Sequence, residues 1–247
     1  MPNRQTCAIT RLDTVDSVLT YARAMAQKGA FGLWESVTAE RQTAGRGQYG
    51  RVWESPAGNI YAALRLPQTP PFNGTAAAAA VSAVVAAVLF DNGWDVRIKW
   101  PNDIVVRCRG RWCKAGGILL EAKGDVLIAG IGINVTAAPD STLLREGAAL
   151  PAASLAEARE DARPLSAQEL WEQMAMRFAS LPENFSRCWR SFVRARLLWQ
   201  GECVTLTLSD GRRIVGVLAD IGPDGELILA GDGGCTQWLE GALTKSD

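Results

Sequence analysis

Between Ala76 and Phe90 the chain reads AAAAAVSAVVAAVLF, about fifteen residues with one hydroxyl and no charge. A bilayer span needs ~20 predominantly apolar residues, and most of these side chains are only weakly apolar. The stretch therefore reads as a helix buried in a protein core, with Thr75 as its cap and Gly93 as its end. A helix apolar on every side has to be covered on every side. No apolar leader marks the first residues, MPNRQTCAIT. The expectation is a soluble, cytoplasmic protein that makes no use of a membrane.

Strand patterns bracket this helix. Ala8 to Leu12 is a short apolar strand, followed by a helical pattern to Lys28 that Asp13 or Asp16 would cap and Gly29 would end. Gly32 to Thr38 and Asn59 to Leu66 read as two further strands. After the helix, Val96 to Val106 forms two short strands hinged at Pro101-Asn102-Asp103. Hairpin tips at Arg109-Gly110-Arg111 and Lys123-Gly124-Asp125 lead into two apolar strands, Lys114 to Glu121 and Val126 to Val135. Both carry glycines in their middles, which marks a bulge or a place where a ligand lies on the sheet. Ala137 to Leu165 reads as loop and short helix. Ser166 to Glu169 is a capping box opening a helix to about Ser180, and a second, basic-ended helix runs to Arg196. From Leu197 the texture changes to short alternating strands with Asp-Gly turns, four or five in about fifty residues. The fold class is α+β: a mixed sheet with flanking helices over residues 1–196, and a small SH3-like β-barrel over residues 197–247.

Composition narrows the chemistry. The 247 residues contain 26 Lys+Arg, 26 Asp+Glu and no histidine. The balance gives no global field toward nucleic acid or an acidic membrane. Without histidine there is no Ser-His-Asp or Cys-His arrangement and no histidine metal site. The six cysteines (Cys7, Cys108, Cys113, Cys188, Cys203, Cys235) show no CxxC spacing; Cys108 and Cys113 could meet across a hairpin, but free thiols are the expectation.

The candidate chemistry gathers in Thr38 to Trp53, TAERQTAGRGQYGRVW, where Gly45, Gly47 and Gly50 alternate with Arg46 and Arg51. Glycine allows close backbone approach, and arginine presents a planar fork of donors suited to phosphate or carboxylate. Such a loop between strands can hold an anion or can simply be a mobile surface loop. It is not the usual phosphate loop, because no Lys-Ser/Thr follows the glycines. Lys99 and Asp103 place a cation and a carboxylate at one bend, which suits a metal–phosphate site. Taken alone, Lys114 is equally an edge lysine and Asn134 a turn former.

Taken together and in order, GRGQYGR (45–51) with Trp53, KWPND (99–103), KAGGILLE (114–121) and GIGIN (130–134) resemble the biotin protein ligases, as does the C-terminal barrel. The resemblance covers nearly the whole chain and makes the 1–196 region the catalytic domain. It implies that biotin and ATP form biotinyl-5′-AMP, and that biotin then passes to a lysine of the apo biotin carboxyl carrier protein of a carboxylase. Both steps build negative charge on oxygen, so placed cations and backbone donors can suffice without a proton-shuttling histidine. By matching positions, Lys114, Arg46 and Asp103 are the catalytic groups. Thr14, Gln42, Gly45, Arg46, Lys114, Gly116 and Gly117 surround biotin. Arg46, Gln48, Arg51, Trp53, Lys99, Asn102 and Asn134 meet the nucleotide, and Asp103 links to Mg²⁺. Within the same fold, a lipoate or octanoate transferase is the second reading, which the KWPND and KAGGIL motifs oppose. A non-catalytic biotin or adenylate binder is the third. Some relatives carry an N-terminal helix-turn-helix, but only about a dozen residues precede Asp13, so no DNA binding is expected. Exposed strands around the sheet could pair edge to edge, and both a monomer and a homodimer fit.

Two departures stand out. Asp13-Thr14-Val15-Asp16 stands in for the family's usual D-S-T-N, and Gln48 replaces the second arginine of G-R-G-R-x-G-R. A charge-assisted hydrogen bond is worth about 1.5–3 kcal/mol, so the Gln48 exchange implies looser retention of biotinyl-AMP by roughly one to two orders of magnitude. Gln48→Arg is expected to slow dissociation of the bound intermediate by that factor in a chase experiment. An unchanged off-rate would remove Gln48 as the cause.

Overall fold

The computed structural model describes residues 7–139, 150–159 and 165–246. The chain begins with β1 (Ile9–Val15), α1 (Val18–Gln27), β2 (Ser36–Gln42) and β3 (Ile60–Leu66). It continues with α2 (Ala76–Asp91), β4 (Val96–Lys99), β5 (Asp103–Cys108), β6 (Arg111–Lys123) and β7 (Val126–Ile133). These seven strands make one mixed sheet in the order β1-β2-β3-β7-β6-β5-β4. Only the β1–β2 pair is parallel; the hairpins that tie β4 through β7 force antiparallel neighbours.

Strand alternation divides the sheet between two sets of helices. Along β3, Ile60, Ala62, Leu64 and Leu66 join the larger core, whereas Tyr61 and Ala63 face α1. α1 has buried Val18, Leu19, Ala22 and Ala26 on one stripe, the helical spacing that seats it on the sheet. On the opposite face lies α2, with twelve of its sixteen residues buried. It is covered by the sheet and by α4 (Ala167–Ala179) and α5 (Phe185–Arg196), which follow the short α3 (Leu155–Ala158). Both α3 and α4 open with complete capping boxes, at Ser154/Glu157 and Ser166/Glu169.

A second, antiparallel sheet follows: β8 (Cys203–Thr207), β9 (Arg213–Ile221), β10 (Leu227–Gly231), β11 (Gly234–Trp238) and β12 (Ala242–Lys245), in the order β11-β10-β9-β8-β12. The α+β architecture with a C-terminal five-stranded unit agrees with the sequence reading. The two sheets meet at the start of α2. Thr75 Oγ1 donates to the Asp224 carbonyl (2.5 Å), and Trp100 Nε1 donates to the buried Gly225 carbonyl (2.8 Å). Arg194 pairs with Asp220 at 2.8 Å. Val204, Leu206, Leu218 and Leu229 of the second sheet belong to the same apolar cluster as α2.

Several local expectations shift. β1 runs to Val15, three residues beyond the expected end, so Asp13 and Thr14 lie in the strand and neither Asp13 nor Asp16 caps α1. Ser17 is the N-cap, and the Val18 N–H is satisfied from a distance by Gln42 Oε1 at 3.0 Å. β2 starts at Ser36 rather than Gly32, because Gly32–Glu35 forms a turn in which Gly32 N donates to the Glu35 carboxylate (2.8 Å) and Trp34 has φ 64°. Thr75 occupies the cap position of α2 without a side-chain cap bond, its hydroxyl being spent on Asp224. Much of the loop expected at Ala137–Leu165 lies outside the described residues.

Trp100→Phe removes the Nε1 donor and leaves the buried Gly225 carbonyl unpaired, a loss of about 1–3 kcal/mol. Denaturant unfolding is expected to move to a lower midpoint at constant slope; an unmoved midpoint would show that this bond does not hold the sheets together.

Candidate active site

On the α1 side of the sheet, α1 covers one half and a cleft of about 900 Å³ opens over the other. Its floor is made where β6 and β7 pair Gly117 with Gly132. The Trp53 indole lies over both glycines. A Cβ built on Gly132 would stand 2.7 Å from the ring, and one on Gly117 3.6 Å. A side chain at Gly132 would lift the indole off the sheet, whereas one at Gly117 would only touch it. The Trp53 ring is reached through the glycine–arginine loop, whose ends are tied by Trp53 N donating to the Gly45 carbonyl at 2.9 Å and by an isolated Arg46–Val52 bridge. At the loop tip Tyr49 takes φ 57°, a left-handed conformation uncommon outside glycine, and the residue is 77% exposed.

The cationic end of the cleft sits where β4, β5 and β6 lie side by side. Lys114 Nζ is 2.5 Å from Asp103 Oδ1, and Lys99 Nζ is 3.6 Å from Asp103 Oδ2, so one carboxylate bridges two ammonium groups. Lys114 also stands 5.8 Å from the Trp53 ring centroid, a distance at which the ring's π face attracts a cation. Burial pushes the Lys99 ammonium below the ordinary lysine value; Asp103 opposes that shift and Lys114 reinforces it. The site therefore concentrates positive charge in a half-buried setting, where charge on oxygen is stabilised more strongly than in water.

The other end is polar and finely tied. Gln42 accepts from Val18 N and donates through Nε2 to Ser55 Oγ at 3.1 Å, which fixes its amide at the helix mouth. Arg46 is held on the cleft wall by Glu121 (2.9 Å) and by Thr20 Oγ1 (3.3 Å). Asn102 and Asn134 are buried; Asn102 Nδ2 donates to the Ile118 carbonyl at 2.5 Å, and Asn134 Nδ2 donates to the Ala153 carbonyl at 3.4 Å. Ser17 Oγ and Trp53 Nε1 are buried, line the cleft and have no hydrogen-bond partner in the protein. Orphaned buried donors of this kind call for a ligand.

Of the residues singled out in the sequence, Gln42, Arg46, Gln48, Arg51, Trp53, Lys99, Asn102, Asp103, Lys114, Gly117 and Asn134 line this one cleft. Three are placed elsewhere. Thr14 is exposed on β1, opposite Arg41, and the hydroxyl at the helix mouth is Ser17. Gly116 turns to the other face: a Cβ there would meet the Gly132 carbonyl at 2.6 Å, so its smallness serves strand packing and the floor is Gly117 with Gly132. Gly45 stands behind the loop, against the Trp53 backbone and Ser55. Sequence reasoning missed Ser17, Ser55, Glu121 and Gly132. It also missed Thr207, Arg213 and Gly241–Thr244, by which the second sheet reaches the cleft. For Gly132 the signal existed, as the middle glycine of GIGIN. The others carry no local mark.

Residues 34–137 match the model of the Biotin/lipoate A/B protein ligase family. The chain is 32% identical over 219 residues to the biotin–[acetyl-CoA-carboxylase] ligase of Paracoccus denitrificans, covering 80% of this chain and 85% of that protein. A point mutant of the Aquifex aeolicus biotin protein ligase in complex with biotin superposes with a TM-score of 0.76 at 25% identity, over 97% of this chain and 99% of the other. The same Aquifex aeolicus enzyme in complex with biotin and ATP gives 0.73 at 23% identity, over 98% and 100%. With the ordered motifs, the shared architecture and this extent of identity, the chain belongs to the biotin protein ligases.

Proposed function

We propose that the cleft carries out both half-reactions of a biotin–[biotin carboxyl-carrier protein] ligase. The observation that carries this reading is the Lys99–Asp103–Lys114 cluster standing at the edge of a glycine floor roofed by Trp53. In the first half-reaction a biotin carboxylate oxygen attacks the α-phosphorus of ATP. A new O–P bond forms, the bond to the β-phosphate oxygen breaks, and pyrophosphate leaves with the electron pair. Lys114 and Arg46 stabilise the charge that grows on the phosphoryl oxygens. Gln42 and Ser17 take the biotin end, beside the glycine pair that seats the Trp53 indole. Trp53, Asn134, Asn102, Lys99, Arg51 and Gln48 take the nucleotide. In the second half-reaction the neutral carrier lysine amine attacks the anhydride carbonyl. The C–O bond to the phosphate breaks, the nitrogen loses a proton to solvent as the amide forms, and AMP leaves with the electron pair. Asp103, already bridging two ammonium groups, is placed to orient the incoming lysine, whose ammonium gives up a proton to solvent before attack.

Mg²⁺ fits this donor set as a nucleotide-borne ion. Among the described residues no three His, Cys, Asp or Glu side chains form a cage, and Mg²⁺ commonly uses one or two carboxylates with the rest of its shell from phosphate and water. Asp103 would be its protein ligand, and the ion would neutralise triphosphate charge. We assign residues 1–196 to the catalytic domain and 197–247 to a barrel that contributes Arg213 and Gly241–Thr244 to the cleft wall. A cytoplasmic setting suits the use of ATP and six free cysteines, and no helix among the described residues is long and apolar enough to cross a membrane.

Incubation with biotin, MgATP and an apo biotin carboxyl carrier domain is expected to add one biotinyl mass to the carrier, read by intact mass spectrometry. Lys114→Ala is expected to abolish the increment; a fully active variant would remove Lys114 from the chemistry. Lipoate-dependent in place of biotin-dependent pyrophosphate release would instead favour a lipoate ligase. Gly132→Ala displaces the indole from the floor and is expected to lower kcat/KM for biotin-dependent pyrophosphate release by roughly 10–100-fold. Unaltered kinetics would mean that the seat of the indole on the glycine floor does not matter to the reaction.

A further inference from the structure

Beyond the cleft, the sheet face that carries Lys99, Asp103 and Lys114 continues toward the β5–β6 hairpin. The register defines which side chains share it. Lys99 pairs with Asp103 and Arg97 with Val105; on the other side of β5, Val105 pairs with Lys114 and Arg107 with Trp112. The shift at Ile104/Val105 places Lys114 opposite Val105 and keeps Gly117, Lys114 and Trp112 on one side. Trp112 therefore lies two residues from Lys114 on the same face of β6, about 7 Å away along the strand. Two guanidinium groups flank its ring: Arg97 at 5.3 Å and Arg107 at 5.1 Å from the centroid. The hairpin tip adds exposed Arg109 and Arg111, with Arg109 and Gly110 in left-handed conformations that suit a tight turn.

These charges are poorly matched within the chain. Arg97 has Asp95 at 3.5 Å, and that carboxylate is itself 53% exposed. Among the described residues, no carboxylate forms an ion pair with Arg107, Arg109 or Arg111; Glu157 is affected by Arg109 only through space. A chain with 26 basic and 26 acidic residues thus gathers four arginines at one hairpin and its edge-strand neighbour. Stacking on an indole engages the flat face of a guanidinium and leaves its in-plane N–H donors for carboxylates.

We propose that Arg97, Arg107, Arg109 and Arg111 around Trp112 form the docking surface for an acidic acceptor protein. Carboxylates beside its target lysine pair with the arginines, and the lysine itself reaches Asp103. This inference rests on the ligase reading and names where the carrier sits. An acidic protein fits better than nucleic acid, because the patch is one short hairpin leading to the acyl-transfer centre, on a molecule of zero net charge. Rim charges of this type act mainly on association and on its salt dependence.

The test is steady-state transfer to a recombinant apo biotin carboxyl carrier domain of acetyl-CoA carboxylase, at low and physiological salt. For Arg97→Gln/Arg107→Gln, KM for the carrier is expected to rise roughly tenfold at low salt. The salt dependence of kcat/KM should flatten, with kcat and the carrier-free, biotin-dependent pyrophosphate burst unchanged. Arg109→Gln/Arg111→Gln, at the solvent-exposed tip, should shift KM in the same direction without touching the packed part of the hairpin. Unchanged KM in both variants, with a normal burst, overturns the docking surface and leaves the ligase reading intact. No biotin-dependent burst from the unsubstituted protein would instead sink the ligase reading. Unchanged carrier KM together with retention of a 20-mer single-stranded DNA by the unsubstituted protein, lost in the variants, would reassign the face to nucleic acid.

Discussion

The constraint on which the molecule depends is the burial of α2. A helix with no polar stripe cannot lie on a surface, and here it is enclosed by the large sheet, by α4 and α5, and at its first turn by the second sheet. Its weakly apolar alanines matter as much as its lack of charge. Small side chains let the surrounding layers approach closely, as at Gly225, where an added Cβ would stand 2.8 Å from the Ala76 Cα. Because α2 occupies that face of the sheet, the cleft opens on the other one, beside α1.

On that other face the charged groups are gathered by the sheet. With no histidine in the chain, the groups available at neutral pH are lysine, arginine and carboxylates. The sheet brings Lys99, Asp103 and Lys114 together from three adjacent strands. Such an arrangement is rigid because each member is anchored in a paired backbone, so little reorganisation is needed when charge develops nearby. Beside it stands the glycine–arginine loop. It carries Arg46 and Arg51 and delivers Trp53 to the floor, and its exposed Tyr49 and Val52 are apolar groups left outside any core.

Much of this was legible in the sequence because the relevant patterns are local. The Ser166–Glu169 capping box, the hairpin tips, the apolar run and the ordered KWPND and KAGGILLE segments each declare themselves within about ten residues. The structure departs from the sequence reading wherever the answer depends on pairing register. Thr14 was expected beside biotin, but β1 runs three residues further and leaves it exposed, and the hydroxyl lining the cleft is that of Ser17. Gly116 and Gly117 looked equivalent as neighbours. Adjacent strand residues point to opposite faces, and the irregularity between Ile104 and Val105 determines which of the two faces the cleft.

The sequence alone determined the α+β class, the helix that must be buried and a small C-terminal β unit, and it supplied the side chains that line the cleft. Those are consequences of side-chain hydrophobicity, backbone preference and charge, which act over a few bonds. Tertiary structure alone decided that Gly132 shares the floor with Gly117 and that Glu121 holds Arg46. It alone brought the second sheet to the cleft through Arg213 and Gly241–Thr244. These contacts join residues far apart in the chain, and their geometry follows from strand order, register and the packing of whole layers around α2, which no local pattern encodes.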